Sequence, residues 1–234
     1  MKVILRKIAP YENCRFSQTL KRHKDYTMVL LEITKKILAN EDRIDNPIVN
    51  NQAYLKLSIG KQSRIFVFLS VNKFYSFEYP CQVEVQNNQD VLSVYTKSGI
   101  KCSPELISNA ISILNDVRCD SIVDVYESRD DEYDYINLEA YKLLEYFWAF
   151  EPCYLRYDYD EQNKNGALHP LCHLDINMSE NGTYKIGLHS KISPVVFEDI
   201  VSKSTDCYYL LDKLPSHLKI LKANKKYRKK SKRI

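Results

Sequence analysis

Residues 171–176 read Leu-Cys-His-Leu-Asp-Ile, and their alternation decides the fold. In a strand, alternate side chains share a face, so Cys172, Leu174 and Ile176 point one way and His173 and Asp175 the other. The same reading applies to residues 154–158, Tyr-Leu-Arg-Tyr-Asp, where Arg156 and Asp158 share a side with Tyr154. It applies again to residues 184–188, Tyr-Lys-Ile-Gly-Leu, where Lys185 lies opposite Ile186, with His189 just beyond. Three such segments in succession predict an antiparallel sheet whose apolar side joins the core. Its other side then gathers Arg156, Asp158, His173, Asp175, Lys185 and His189, with His169 at the mouth of the connecting loop.

Working back towards the N-terminus, residues 138–149 carry Leu138, Tyr141, Leu144 and Trp148 at helical spacing, with Asn137 at the start. Residues 122–125 read as a short strand leading to an acidic loop at 130–132. Ser103-Pro104-Glu105 is a helix start of capping hydroxyl, first-turn proline and acid, and that helix runs to Leu114. Further back, 53–59 and 64–71 form a hairpin around Gly60-Lys61. Residues 82–85 and 91–96 form another pair across Asn87-Asn88, and 23–39 carry a helical stripe. Asn46-Pro47 marks a turn. Beyond the three strands, Pro194 starts a helix through Phe197 and Ile200, and 208–221 form another around a break at Pro215.

The expected fold class is therefore α+β: antiparallel sheet or sheets flanked by helices. One body spans 1–221, with a sub-division near 102 between a helix plus β-meander and a helix plus three-stranded sheet. A basic mobile tail follows at 222–234.

Composition narrows the function. The chain of 234 residues is 44% hydrophobic and 27% charged, ordinary for a globular protein. No apolar run approaches the roughly 20 residues that span a bilayer, and the first residues, Met1-Lys2-Val3, lack a signal-peptide pattern, so neither membrane nor secretion is expected. Seven scattered cysteines without a Cys-x-x-Cys pair argue for a reducing, cytoplasmic setting and against a structural zinc site. The net charge of +4 is uneven: residues 222–234 hold six Lys and two Arg, which leaves 26 basic against 30 acidic residues elsewhere. Electrostatic attraction to phosphates thus lies mostly in the tail. Five glycines, with no GxGxxG or GxxxxGK pattern, argue against Gly-rich nucleotide-binding loops.

The candidate catalytic set is Arg156, Asp158, His169, His173 and Asp175. A histidine beside a carboxylate serves as a general acid or base, and an arginine neutralises phosphate. His169, His173 and Asp175 are the candidate ligands should a divalent metal be the cofactor. This inventory suits phosphodiester cleavage. An antiparallel sheet also commonly turns one face to water, and then Arg156 with Asp158 or Asp175 is only a cross-strand ion pair. Glu139 and Glu145 read as solvated helix residues, and adjacent Cys172 and His173 face opposite ways, which disfavours a Cys–His nucleophile.

Leu155-Arg156-Tyr157-Asp158 followed by His169-Pro170-Leu171-Cys172-His173-Leu174-Asp175, with the later Pro194 to Phe197 helix, resembles an uncharacterised bacterial family, domain of unknown function 2290. The likeness is specific over about residues 150–200. It implies a bacterial cytoplasmic protein and matches Arg156, Asp158, His169, His173 and Asp175 residue by residue. A place beside toxin–antitoxin or anti-phage defence genes is a further expectation, with action on a nucleic acid or nucleotide phosphodiester. The alternative is a non-catalytic, protein-binding antitoxin, sensor or scaffold subunit. A protein partner is expected from the eighteen tyrosines, and a nucleic-acid contact through 222–234.

Overall fold

The computed structural model describes residues 2–45, 52–86, 90–116, 120–127 and 138–202. The expected turns at 46–47 and 87–88, the acidic loop at 130–132, Asn137, the helix at 208–221 and the basic tail lie outside the described residues. The chain forms two compact units, Met1–Pro194 and Val195–Ile234.

Ten strands are described: β1 (Lys2–Lys7), β2 (Tyr54–Ile59), β3 (Arg64–Ser70), β4 (Lys73–Glu78), β5 (Cys81–Val85), β6 (Val91–Thr96), β7 (Lys101–Cys102), β8 (Leu155–Tyr159), β9 (Cys172–Ile176) and β10 (Tyr184–Leu188). The helices are α1 (Asn13–Phe16), α2 (His23–Ala39), α3 (Pro104–Leu114), α4 (Ile122–Glu127), α5 (Leu138–Ala149) and α6 (Pro194–Ile200). The fold class is α+β, as expected. One antiparallel sheet has the order β1-β2-β3-β4-β8-β9-β10, and a second has the order β5-β6-β7.

Local chemistry explains the helix ends. At α2 the Asp25 carboxylate accepts from the Arg22 backbone N–H at 3.0 Å, and Asn40 closes the helix in the left-handed region at φ 57°. At α3 the Ser103 hydroxyl accepts from the Leu106 N–H at 3.1 Å, with Pro104 in the first turn. Residues 122–125, expected as a strand, instead open α4. The Asp124 carboxylate accepts from the Ser121 N–H at 2.6 Å, and the Ser121 hydroxyl accepts from the Asp124 N–H at 3.1 Å. This reciprocal cap outweighs the β-branched Ile122-Val123 pair, which alone suggests a strand. β1 and β4 complete the large sheet; the pattern reading passes over both.

Register fixes which side chains share a face. Directly paired residues run Leu55, Val67, Tyr75, Arg156, Asp175 and Lys185 across β2, β3, β4, β8, β9 and β10. Leu55, Val67 and Tyr75 are fully buried in the main core with Leu30 and Ile33 of α2, Ile107 of α3 and Leu144 of α5. The polar row therefore shares the helix-covered face of the sheet. This reverses the expectation that the apolar side of the last three strands joins that core. Tyr157 and Leu174 lie on the opposite face, in register with Phe74, Phe68 and Tyr54. There Phe74 stacks on Tyr157 with ring centroids 4.6 Å apart, and Tyr54 on Phe68 at the same distance. β4 is the cause: it accepts β8 on its free edge, so the last three strands extend the first sheet rather than forming their own.

Candidate functional site

At the β8–β10 end of this face, carboxylates and cations replace apolar side chains. Arg156 has Nε 2.6 Å from Asp158 Oδ2, and its Nη2 is bonded to Asp175 Oδ2. Asp175 Oδ1 accepts from Lys185 Nζ at 2.5 Å and from the Thr183 hydroxyl at 2.6 Å. Asp175 is fully buried, and its neighbours Arg156 and His173 nearly so. Burial drives the Asp175 carboxyl up. The Lys185 and Thr183 contacts, with the Arg156 charge, more than reverse this and hold it well below the ordinary carboxylate range. Burial lowers the Arg156 value while Tyr154, Asp158 and Asp175 raise it, and the net direction is upward. Both groups stay charged.

His173 is fixed at both ring nitrogens. Pro170 places its carbonyl where Nδ1–H donates to it at 2.8 Å. Nε2 is then the acceptor nitrogen, and Lys185 Nζ lies 3.1 Å from it. The same Nε2 is 3.6 Å from Asp175 Oδ2 and 4.0 Å from Asp158 Oδ2.

His169 comes from the loop between β8 and β9. That loop is tied by the Asp160 carboxylate, which accepts the Gln162 and Asn163 backbone N–H groups at 3.1 and 3.0 Å, and by the Asn165–His169 bridge. The Asn163 side chain adds a bond at 2.9 Å, and these hydrogen bonds lower the Asp160 carboxyl. His169 Nε2 stands 3.3 Å from Asp160 Oδ2, and its ring meets His173 edge-on at 4.7 Å between centroids.

Arg156, Asp158, Asp160, His169, Thr183 and Lys185 border a cleft of about 740 Å³. Its lining carries Lys21, Lys73, Arg156 and Lys185 against Asp158, Asp160, Glu161 and Glu180, together with His169. Asp175 and His173 do not line it; they sit behind the wall and hold Arg156 and Lys185.

All five candidate residues fall in one neighbourhood, and Lys185 joins them. His189 does not, being exposed one residue past β10. Asp160 and Thr183 are the members that alternation misses, because both lie in connections where period two ends. Glu139 and Glu145 are exposed on α5, as expected. Among the described residues, Asp158, His173 and Asp175 offer one ligand atom each within 4.8 Å of one another. This set takes Asp158 in place of the expected His169, which turns to Asp160. Arg156 already donates to both of its carboxylates, and Lys185 to Asp175 and the His173 nitrogen.

Among the described residues no helix is long and apolar enough to cross a membrane. No curated protein and no solved structure matches the chain. A family model matches residues 114–230, half of the chain, and that segment contains Arg156, Asp158, His169, His173, Asp175 and Lys185. The chain thus belongs to the family described as "Uncharacterized conserved protein (DUF2290)".

Proposed function

We propose that the cleft binds a phosphodiester, in a nucleic acid or a nucleotide, and cleaves it by acid–base chemistry without a metal. The observation that supports this is the meeting of a partly exposed imidazole with two cations along one wall of a cleft large enough for a nucleotide. His169 carries the proton, with its Nε2 3.3 Å from the Asp160 carboxylate. Lys185 and Arg156 offer N–H donors to a phosphate oxygen. Asp158, His173 and Asp175 are positioning residues that hold those donors against β8 and β9.

The test is turnover of RNA, single-stranded DNA and dinucleotides with and without EDTA. Cleavage should survive EDTA and fall by about 100-fold or more in His169→Ala, the usual contribution of a general acid or base. Absence of cleavage on all three substrates, or full activity in a folded His169→Ala protein, rejects the reading. A role in toxin–antitoxin or anti-phage defence belongs to the same proposal. It requires that growth arrest on expression in bacteria be relieved by His169→Ala.

A second reading, a non-catalytic protein-binding subunit, is favoured by two exposed large apolar side chains beside site residues. Leu168 is 82% exposed next to His169, and Tyr184 is 79% exposed next to Lys185. Under it, a co-purifying protein of defined mass is lost in the Leu168→Glu, Tyr184→Glu double variant. A wild-type chain that purifies alone argues against it.

A further inference from the structure

We propose that Asp158, His173 and Asp175 form a latent divalent-metal site, kept closed because the Lys185 ammonium already takes the His173 imidazole nitrogen and the Asp175 carboxylate that the ion would need. His173 is oriented as a metal ligand would be. Its Nδ1–H is spent on the Pro170 carbonyl at 2.8 Å, which leaves the Nε2 lone pair directed into the cluster. Nε2 lies 3.6 Å from Asp175 Oδ2 and 4.0 Å from Asp158 Oδ2, separations that paired bonds of about 2.0–2.3 Å to a common ion can span. Instead of an ion, Lys185 Nζ lies 3.1 Å from His173 Nε2 and 2.5 Å from Asp175 Oδ1.

Charge completes the argument. Asp158 and Asp175 supply two negative charges, and Arg156 and Lys185 return two positive ones. A divalent ion entering this neutral set meets two cations at hydrogen-bond range of its ligands and no vacant imidazole nitrogen. Removing the Lys185 charge leaves an excess of one negative charge and frees Nε2. The chain thus carries the geometry of a metal centre with an internal cation in place. This deepens the proposed function, since it makes Lys185 the electrophilic group that a metal ion supplies in metal-dependent phosphodiesterases.

The experiment is calorimetric titration of the full chain with Zn²⁺ and Mn²⁺, comparing wild type, Lys185→Ala, Lys185→Gln and the Lys185→Ala, Asp158→Asn double variant. Lys185→Gln keeps a donor for Asp175 and serves where Lys185→Ala fails to fold. Both single variants should bind at least one of the ions ten-fold or more tighter than wild type, and the double variant should lose that gain. Three results overturn the inference: single variants that bind no tighter than wild type, a gain that survives Asp158→Asn, or wild-type binding as tight as in the variants. The readout is binding, so a chain that cleaves no phosphodiester leaves the inference standing, whereas cleavage by wild type without tighter ion binding in the variants rejects it alone.

Discussion

Asp175 has no exposed surface, yet it stays ionised because Arg156, Lys185 and Thr183 donate to it. Taking away the charge leaves the buried guanidinium without one of its two carboxylates. Asp175→Asn should therefore cost about 3 kcal/mol in urea unfolding, the scale for breaking a buried ion pair from one side. A loss under 1 kcal/mol would mean the network contributes little. Linkage fixes the pH dependence. The folded carboxyl lies below its unfolded value of about 3.9, so its contribution is complete above about pH 5 and is lost as pH falls towards the folded value. Stability measured from pH 5 to pH 2 should fall less steeply in Asp175→Asn than in wild type, by up to one proton's worth of slope. Much of this neighbourhood is legible in the sequence, because period-two alternation alone puts His173 with Asp175 and Arg156 with Asp158. What alternation cannot give is the loop pairing of His169 with Asp160. That depends on an Asx turn and a bridge rather than on any repeat.

At the level of elements, β9 is locked by its two neighbours and by the loop before it. Gly187 on β10 pairs with His173, and a Cβ added there would come 3.0 Å from Pro170 Cγ and 3.3 Å from its Cβ. Pro170 carries the carbonyl that fixes the His173 ring. Gly187→Ala should therefore push that ring of Pro170 away and cost about 1 kcal/mol, with Gly187→Val costing more, as overpacking does. The His173 ring-proton resonance, read by NMR, should shift in both; unchanged resonances would show that the loop yields without disturbing the imidazole. Helix ends were legible where a side-chain cap spells them out, as at Ser103. The α4 segment was not, because Ser121 and Asp124 form the same kind of cap ahead of residues that favour strands. β4 escaped for a related reason. Its Phe74, Tyr75 and Phe77 bury both faces at once, so no alternation marks it.

Across the molecule, that overlooked strand has the largest effect. β4 pairs with β3 on one side and β8 on the other, so a single sheet runs through segments far apart in sequence. A fragment ending at residue 102 would expose the β4 edge, with buried Phe74 and Tyr75 beside it. Expressed alone, residues 1–102 should aggregate or fail to unfold cooperatively, and a monomer with a sharp thermal transition would contradict this. The sheet ends at β10, a five-residue edge strand, and edge strands ordinarily fray first. Here fraying would pull the Lys185 ammonium off a carboxylate that water cannot reach. The electrostatic penalty acts as a clasp on the sheet margin, so the amides of β10 should exchange with deuterium more slowly than their rim position suggests, and Lys185→Ala should release them while β2 and β3 remain protected.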